Sequence, residues 1–205
     1  MEITNYKVYD LEESIVASGL PMKSIYTGLD FTISAAKCMA LTDTSDNRDF
    51  SRAVKLASCP MGSGHSNFLS GILVSANITA TIKWWEQFQR YHFKQIVSSM
   101  STMHRLRTML RDGTAQFHPS VDINAVKHIR DLALADGVDE VSDEVLAYSC
   151  PMGLLLTARI TTNYLQLKTI YNQRHNHKLE EWHTVCAWIG ELPFAKELII
   201  GDSDE

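Results

Sequence analysis

Arg174 closes a run in which Leu156, Ile160, Asn163, Leu167 and Ile170 recur at steps of four and three. That spacing places them on one face of a helix. An amide inside an apolar stripe and a guanidinium at its end are both costly to bury unless paired. The planar fork of arginine suits a carboxylate or a phosphate. His175, Asn176, His177, Glu180, Glu181 and His183 follow directly. This pattern points to a small-anion site at a helix end; the plain alternative is a core helix whose last turn carries a surface arginine.

A second group of cations lies upstream. Between residues 83 and 111 stand Lys83, Arg90, Lys94, Arg105, Arg107 and Arg111 against a single acid, Glu86. Residues 131–144 hold six acids and no base. The formal net charge of the 205-residue chain is -5, which argues against a nucleic-acid polymer as partner. A local basic cluster on an acidic chain suits a small anionic ligand, although two solvated faces of opposite sign would give the same pattern.

Other chemistries are excluded by what is missing. The cysteines Cys38, Cys59, Cys150 and Cys186 form no Cys-x-x-Cys, so no zinc site and no other metal site is expected. They read as small core residues of a reduced, cytoplasmic protein. No P-loop, Gly-x-Ser-x-Gly elbow or His-Glu-x-x-His occurs. Met1-Glu2-Ile3-Thr4-Asn5 lacks a basic region ahead of an apolar one. No apolar run approaches the ~18 residues of a membrane span, and no membrane partner is expected. Cys-Pro-Met-Gly occurs twice, at 59–62 and 150–153, without shared flanks. A proline in the first turn of a helix accounts for the second copy.

The elements that must position these residues follow from periodicity and punctuation. Residues 2–9 are rich in strand formers. Gly19-Leu20-Pro21 is a turn, and Leu29, Ile33, Ala36 and Met39 predict a helix over 28–40. Residues 42–47 are polar and read as a loop. Asp49 or Ser51 caps a short helix bearing Phe50, Val54 and Ala57. Ile72 to Ile78 alternate as a strand, and 79–90 reads as a helix. Ser98, Ser99 and Ser101 favour loop. Helices follow over 103–110, over a segment capped at Ser120 and stopped by Gly137, and from a Ser142 cap to Tyr148. The long helix then runs to about Asn176, and a last one covers 177–190. Apolar Trp84, Trp85, Leu154 and Leu155 are candidates for a subunit interface.

Gln87-Phe88-Gln89-Arg90-Tyr91-His92, eight further residues and Ser101 resemble the signature of the flavin-dependent thymidylate synthases, which reads Arg-His-Arg, seven or eight residues, then Ser. Gly64-His65 is similar to the Gly-His that precedes a strand in that family. Pro151 through Asn163 to Arg174 matches without a gap, and His177 and Glu180 follow after one deletion. The resemblance covers residues 49–193 with order and spacing kept.

The resemblance implies an α+β fold: a single domain over 1–200 with a central, mostly antiparallel sheet flanked by helices. Gly201-Asp202-Ser203-Asp204-Glu205 reads as a flexible tail. The resemblance also implies reductive methylation at C5 of dUMP with methylenetetrahydrofolate, FAD and NADPH, in a homotetramer whose sites draw on several subunits. Arg174 and Arg90 are the expected catalytic residues. Gln87, Arg90, Ser99, Ser101, Arg105, Arg159 and Arg174 are expected to bind the pyrimidine deoxynucleotide. His65, Asn67, Arg90, His92, Asn163, Thr169 and His177 are expected to bind the flavin. No cysteine nucleophile is implied. The chain departs from the pattern at Tyr91 and His92, at Leu165 and Thr157 where the family has arginines, and before Ser101, where Val97 to Met100 supply no acid. Two lost cationic contacts would weaken FAD binding by a few kcal/mol, at ~1.5–3 kcal/mol per charge-assisted bond. One-carbon transfer such as hydroxymethylation on another pyrimidine deoxynucleotide, and a non-catalytic nucleotide-binding or assembly role, remain as alternatives.

Overall fold

The computed structural model describes residues 1–25, 28, 32, 37, 47–137 and 140–201. Of the expected helix over 28–40, residues 28, 32 and 37 are described and are helical; the polar loop ahead of Asn47 and the tail beyond Gly201 lie outside the described residues. The chain is α+β, with a four-stranded antiparallel sheet of order β1-β2-β4-β3. The strands are β1 (Glu2–Tyr9), β2 (Leu73–Thr81), β3 (Lys94–Ser99) and β4 (Leu155–Asn163). Along β2 and β4, Ser75 bonds Thr161, Asn77 bonds Arg159 and Thr79 bonds Thr157. One index rises as the other falls, which is the antiparallel register. Val74, Ala76, Ile78 and Ala80 alternate with these residues and are buried, the period of a sheet with one covered face.

The chain divides into two compact units. The first comprises Met1–Thr4, Asn77–Tyr91 and Ile96–Ile160. The helices of that unit, continuing the chain-order numbering, are α3 (Ile82–Phe88), α4 (Thr102–Arg111), α5 (Ile123–Leu134) and α6 (Asp143–Ser149). Leu106, Met109, Leu110, Ile129, Leu146 and Leu154 form its core. Trp84 stacks on Phe88 at 4.8 Å and meets Trp85 edge-on at 4.9 Å.

The second unit comprises Asn5–Ala76, His92–Gln95 and Thr161–Glu205. It holds α1 (Leu11–Ala17), α2 (Arg48–Ala57), α7 (Tyr164–Arg174), α8 (Glu181–Gly190) and a π-helical turn at Lys196–Ile200. Ile15, Phe50, Leu167, Ile170, Trp182 and Ile189 are buried there. Phe50 packs on Phe194 at 4.7 Å. Among the described residues no helix is long and apolar enough to cross a membrane.

The expected long helix is two elements. Residues 155–163 form a strand, and α7 starts only at Tyr164. Thr157, Ile160, Thr161 and Thr162 are β-branched and suit a pleated, half-buried surface. The steps of four and three through Leu156 and Ile160 were therefore coincident with a strand's apolar face. Asn163 is the N-cap of α7: its Oδ1 accepts from the Gln166 N–H at 2.8 Å. Pro151 accordingly opens no helix. Its carbonyl accepts from Leu154 N at 3.0 Å in a turn before β4. The two Cys-Pro-Met-Gly copies do separate backbone work. Gly62 adopts φ 87, whereas a Cβ on Gly153 would lie 2.2 Å from Val121 Cγ2.

Smaller differences have similar causes. The cap of α2 is Asn47, bonding the N–H groups of Asp49 and Phe50, rather than Asp49 or Ser51. Asp122 rather than Ser120 caps α5. Thr81 caps α3, so β2 claims the start of the expected 79–90 helix. The serine-rich 98–101 stretch ends a strand, with Met100 N donating to Thr157 O at 3.0 Å, and Ser101 then caps α4. Residues 11–17, for which the sequence predicts no element, form α1. Trp84, Trp85 and Leu154 are buried in the first unit and are therefore not a subunit surface.

Candidate functional site

In the first unit, Gln87 is the penultimate residue of α3, and Arg90 is exposed two residues beyond that helix. Ser99 ends β3, exposed, and Ser101 Oγ accepts from His104 N at 3.3 Å as the cap of α4. Arg105 lies exposed on α4, where its charge helps hold the Asp112 carboxyl low, behind the two hydrogen bonds from Thr114. Arg159 projects from β4 and donates to Asn77 Oδ1 at 3.2 Å. An apolar cleft of about 390 Å³ opens here, with Trp85, Ile96, Ser99, Met100, Met152 and Leu156 in its lining, a size that takes a small ligand. Trp85 Nε1 donates to Leu156 O at 3.0 Å and fixes one wall. At its rim, the Lys83 hydrogen bond and charge hold the Glu86 carboxyl below its usual value. Of the expected nucleotide residues, Ser99 lines this cleft.

The basic cluster does not survive as one patch. Arg107 Nε bonds Asp143 Oδ1 at 2.7 Å and its Nη2 bonds the Val141 carbonyl. Arg111 bonds Asp136 Oδ1 and Ala133 O, each at 2.6 Å. Lys83 pairs with Glu86 at 2.8 Å. Arg107 and Arg111 of the basic segment thus pair with acids of the 131–144 segment within the first unit.

In the second unit, His65 and Asn67 are exposed and line a hollow of about 410 Å³ with Gly64, Phe68, Ser14 and Ser18. His92 is exposed. The residue after it, Phe93, has both backbone groups bound: its N–H donates to Gln166 Oε1 at 3.1 Å and its carbonyl accepts from Thr162 Oγ1 at 2.9 Å. Asn163 is buried and spends its oxygen on the α7 cap. Thr169 Oγ1 donates back to Leu165 O at 3.1 Å.

Arg174 ends α7 half-buried, with its guanidinium 4.8 Å above the ring centre of Trp182. His177 N donates to Arg174 O at 3.0 Å, and its ring meets Trp182 edge-on at 6.4 Å. Burial first, then the charges of Arg174 and His183, lower the His177 pKa. Leu179 N donates to His177 Nδ1 at 3.0 Å, which leaves the neutral ring's proton on Nε2. Arg174, expected from spacing, and His177, implied by the resemblance, are thus neighbours on one indole. Only the fold brings Trp182 under Arg174, because one helix ends at Arg174 and the next begins at Glu181, so no helical spacing relates the two.

Tyr91, at the signature's central position, is buried and packs on Phe88 at 6.4 Å. Burial pushes the Cys150 and Cys186 thiols up to about 11, the opposite of what activates a nucleophile. Among the described residues no group of His, Cys, Asp and Glu is placed to hold a metal ion.

No family model matches the sequence, and no curated protein matches it. Solved structures do. The crystal structure of Thymidylate Synthase X (ThyX) from Helicobacter pylori with FAD and dUMP superposes with a TM-score of 0.68 at 16% identity, over 97% of this chain and 97% of that one. A second structure of that flavin-dependent enzyme, also complexed with FAD and dUMP, gives 0.63 at 16% identity over 97% and 98%. The UMP/dUMP methylase PolB from Streptomyces cacaoi, bound with 5-Br dUMP, gives 0.56 at 12% identity over 97% and 95%. The chain has the fold of the flavin-dependent thymidylate synthases.

Proposed function

We propose that the chain is a flavin-dependent enzyme that transfers one carbon from methylenetetrahydrofolate to C5 of dUMP, giving dTMP with NADPH as reductant. One observation carries the reading: the fold is shared over 97% of the chain with a synthase holding FAD and dUMP. Gln87, Arg90, Ser99, Ser101, Arg105, Arg159 and Arg174 bind the nucleotide. Arg90 and Arg174 are the cations proposed for its phosphate, and a cation near the pyrimidine would stabilise the enolate-like charge that makes C5 nucleophilic. No covalent nucleophile is required of the protein; positioning and electrostatics are its share.

The residues present fit the neutral ring of a flavin better than its pyrophosphate. His65, Asn67 and His92 offer exposed polar groups. Asn163 and Thr169 each commit one hydrogen-bonding atom to their own helix, and His177 presents an Nε2–H. Arg90 is the one cation of the set, because Leu165 is apolar and Tyr91 is buried. A bound flavin supplies the redox chemistry that reduces the transferred carbon. FAD titration followed by its visible absorbance tests this: saturable binding, weaker than is usual for a flavoenzyme, is expected. No binding at hundreds of micromolar would leave the non-catalytic nucleotide-binding role, which the buried Tyr91 and the apolar Leu165 favour. The likeness to PolB favours, as a second reading, transfer to another pyrimidine nucleotide; a panel of pyrimidine monophosphates separates the two. A homotetramer is proposed, because the family's sites draw on several subunits.

A further inference from the structure

The arrangement around Arg174 goes beyond a single anion-binding side chain. Trp182 is 0% exposed, so its indole is a fixed plate rather than a mobile cover. Its backbone N–H donates to Leu179 O at 3.1 Å as α8 begins. The connection from Arg174 to Trp182 is tied further by His177 N to Arg174 O, by Leu179 N to His177 Nδ1, and by His183 N to Glu180 O at 2.8 Å. The Arg174 guanidinium lies over the plate at 4.8 Å, within the range of a cation–π contact. Stacking uses the face of a guanidinium, whereas its N–H donors point out of its edge. One group can therefore stack and grip an anion at once. Arg174 is half-buried rather than sealed.

We propose that Trp182 is a positioning residue for Arg174, its indole face holding the guanidinium plane so that the fork meets the nucleotide in one orientation. This rests on the reading of Arg174 as a nucleotide contact. An unsupported arginine would have to select its rotamer during binding, and that ordering costs affinity. His177 joins the same device. Burial and the neighbouring charges favour its neutral ring, and the neutral ring preserves the Leu179 bond that braces the connection.

Calorimetric titration of dUMP against wild type, Trp182→Leu, Trp182→Phe, Arg174→Ala and the Arg174→Ala/Trp182→Leu double variant tests the proposal, with melting curves alongside. Trp182→Leu is expected to weaken dUMP about 3- to 30-fold, the range a cation–π contact spans. Trp182→Phe, which keeps a weaker aromatic face, should lose less. In the Arg174→Ala background the leucine should cost nothing further, since there is no guanidinium left to position. Unchanged affinity in Trp182→Leu overturns the proposal. Equal losses in both backgrounds also overturn it, because tryptophan would then act through general packing. Arg174→Ala binding dUMP like wild type defeats the nucleotide reading itself, and the inference with it, in a pattern neither other outcome produces. Should the leucine variant not fold, the same cycle with Trp182→Phe decides.

Discussion

Replacing Arg107 by alanine tests whether the basic segment serves the fold or a ligand. The Arg107 side chain is 17% exposed; its partners Asp143 and Glu140 are 54% and 53% exposed. The Asp143 bond is short at 2.7 Å, whereas Glu140 stands at 3.9 Å. A charge-assisted bond contributes ~1.5–3 kcal/mol where buried, but pairs with exposed acids contribute ~0–1 kcal/mol. The bond to the Val141 carbonyl adds about 1 kcal/mol, and the packed stem adds more. The sum is about 2–3 kcal/mol. For a chain of this size that lowers Tm by about 4–12 °C. Asp143→Asn should cost less, about 0.5–1 kcal/mol, with the difference shrinking in high salt. Melting curves of the three proteins, beside their dUMP titrations, give the answer. A melting point within a degree of wild type, or a dUMP affinity that falls while melting holds, would refute the structural assignment.

Asn163→Ala separates two readings by sign. As the N-cap of α7 it should lose about 0.5–2 kcal/mol in denaturant unfolding; inside one continuous helix alanine would be stabilising. Lys168 is buried, with Nζ donating to Ala57 O at 2.6 Å, and burial lowers its pKa. The unfolded chain then binds that proton more tightly, so stability should rise with pH through the window below 10.5. Cys150 and Cys186, pushed up to about 11, act oppositely from the ordinary thiol value upward. The difference between wild type and Lys168→Met isolates the lysine, and a difference independent of alkaline pH would discard it. Light scattering should report about four times the chain's own mass; a monomer at micromolar concentration would remove the proposed shared-site assembly.

Local signals sufficed where the deciding interaction is local. The Ser142 cap and the helix ending before Asp112-Gly113 were legible because neighbours within four residues settle them, and residues 2–9 were legible from their concentration of strand formers. The resemblance also placed the α+β class and the antiparallel sheet, since order and spacing along the chain outlast the loss of individual motif residues. Residues 155–163 were different. Their apolar positions satisfy a helical and a strand period together, and only pairing with Ser75, Asn77 and Thr79, some eighty positions away, selects the strand. Residues 94–99 likewise become a strand because β4 lies beside them. Charge gave the same lesson. Composition showed a basic and an acidic segment, but only folding decided that Arg107 and Arg111 pair with the acids at 143 and 136. The indole beneath Arg174 belongs to the same class of fact. Which face of a side chain meets which neighbour depends on where the backbone returns, and that is a property of the folded chain.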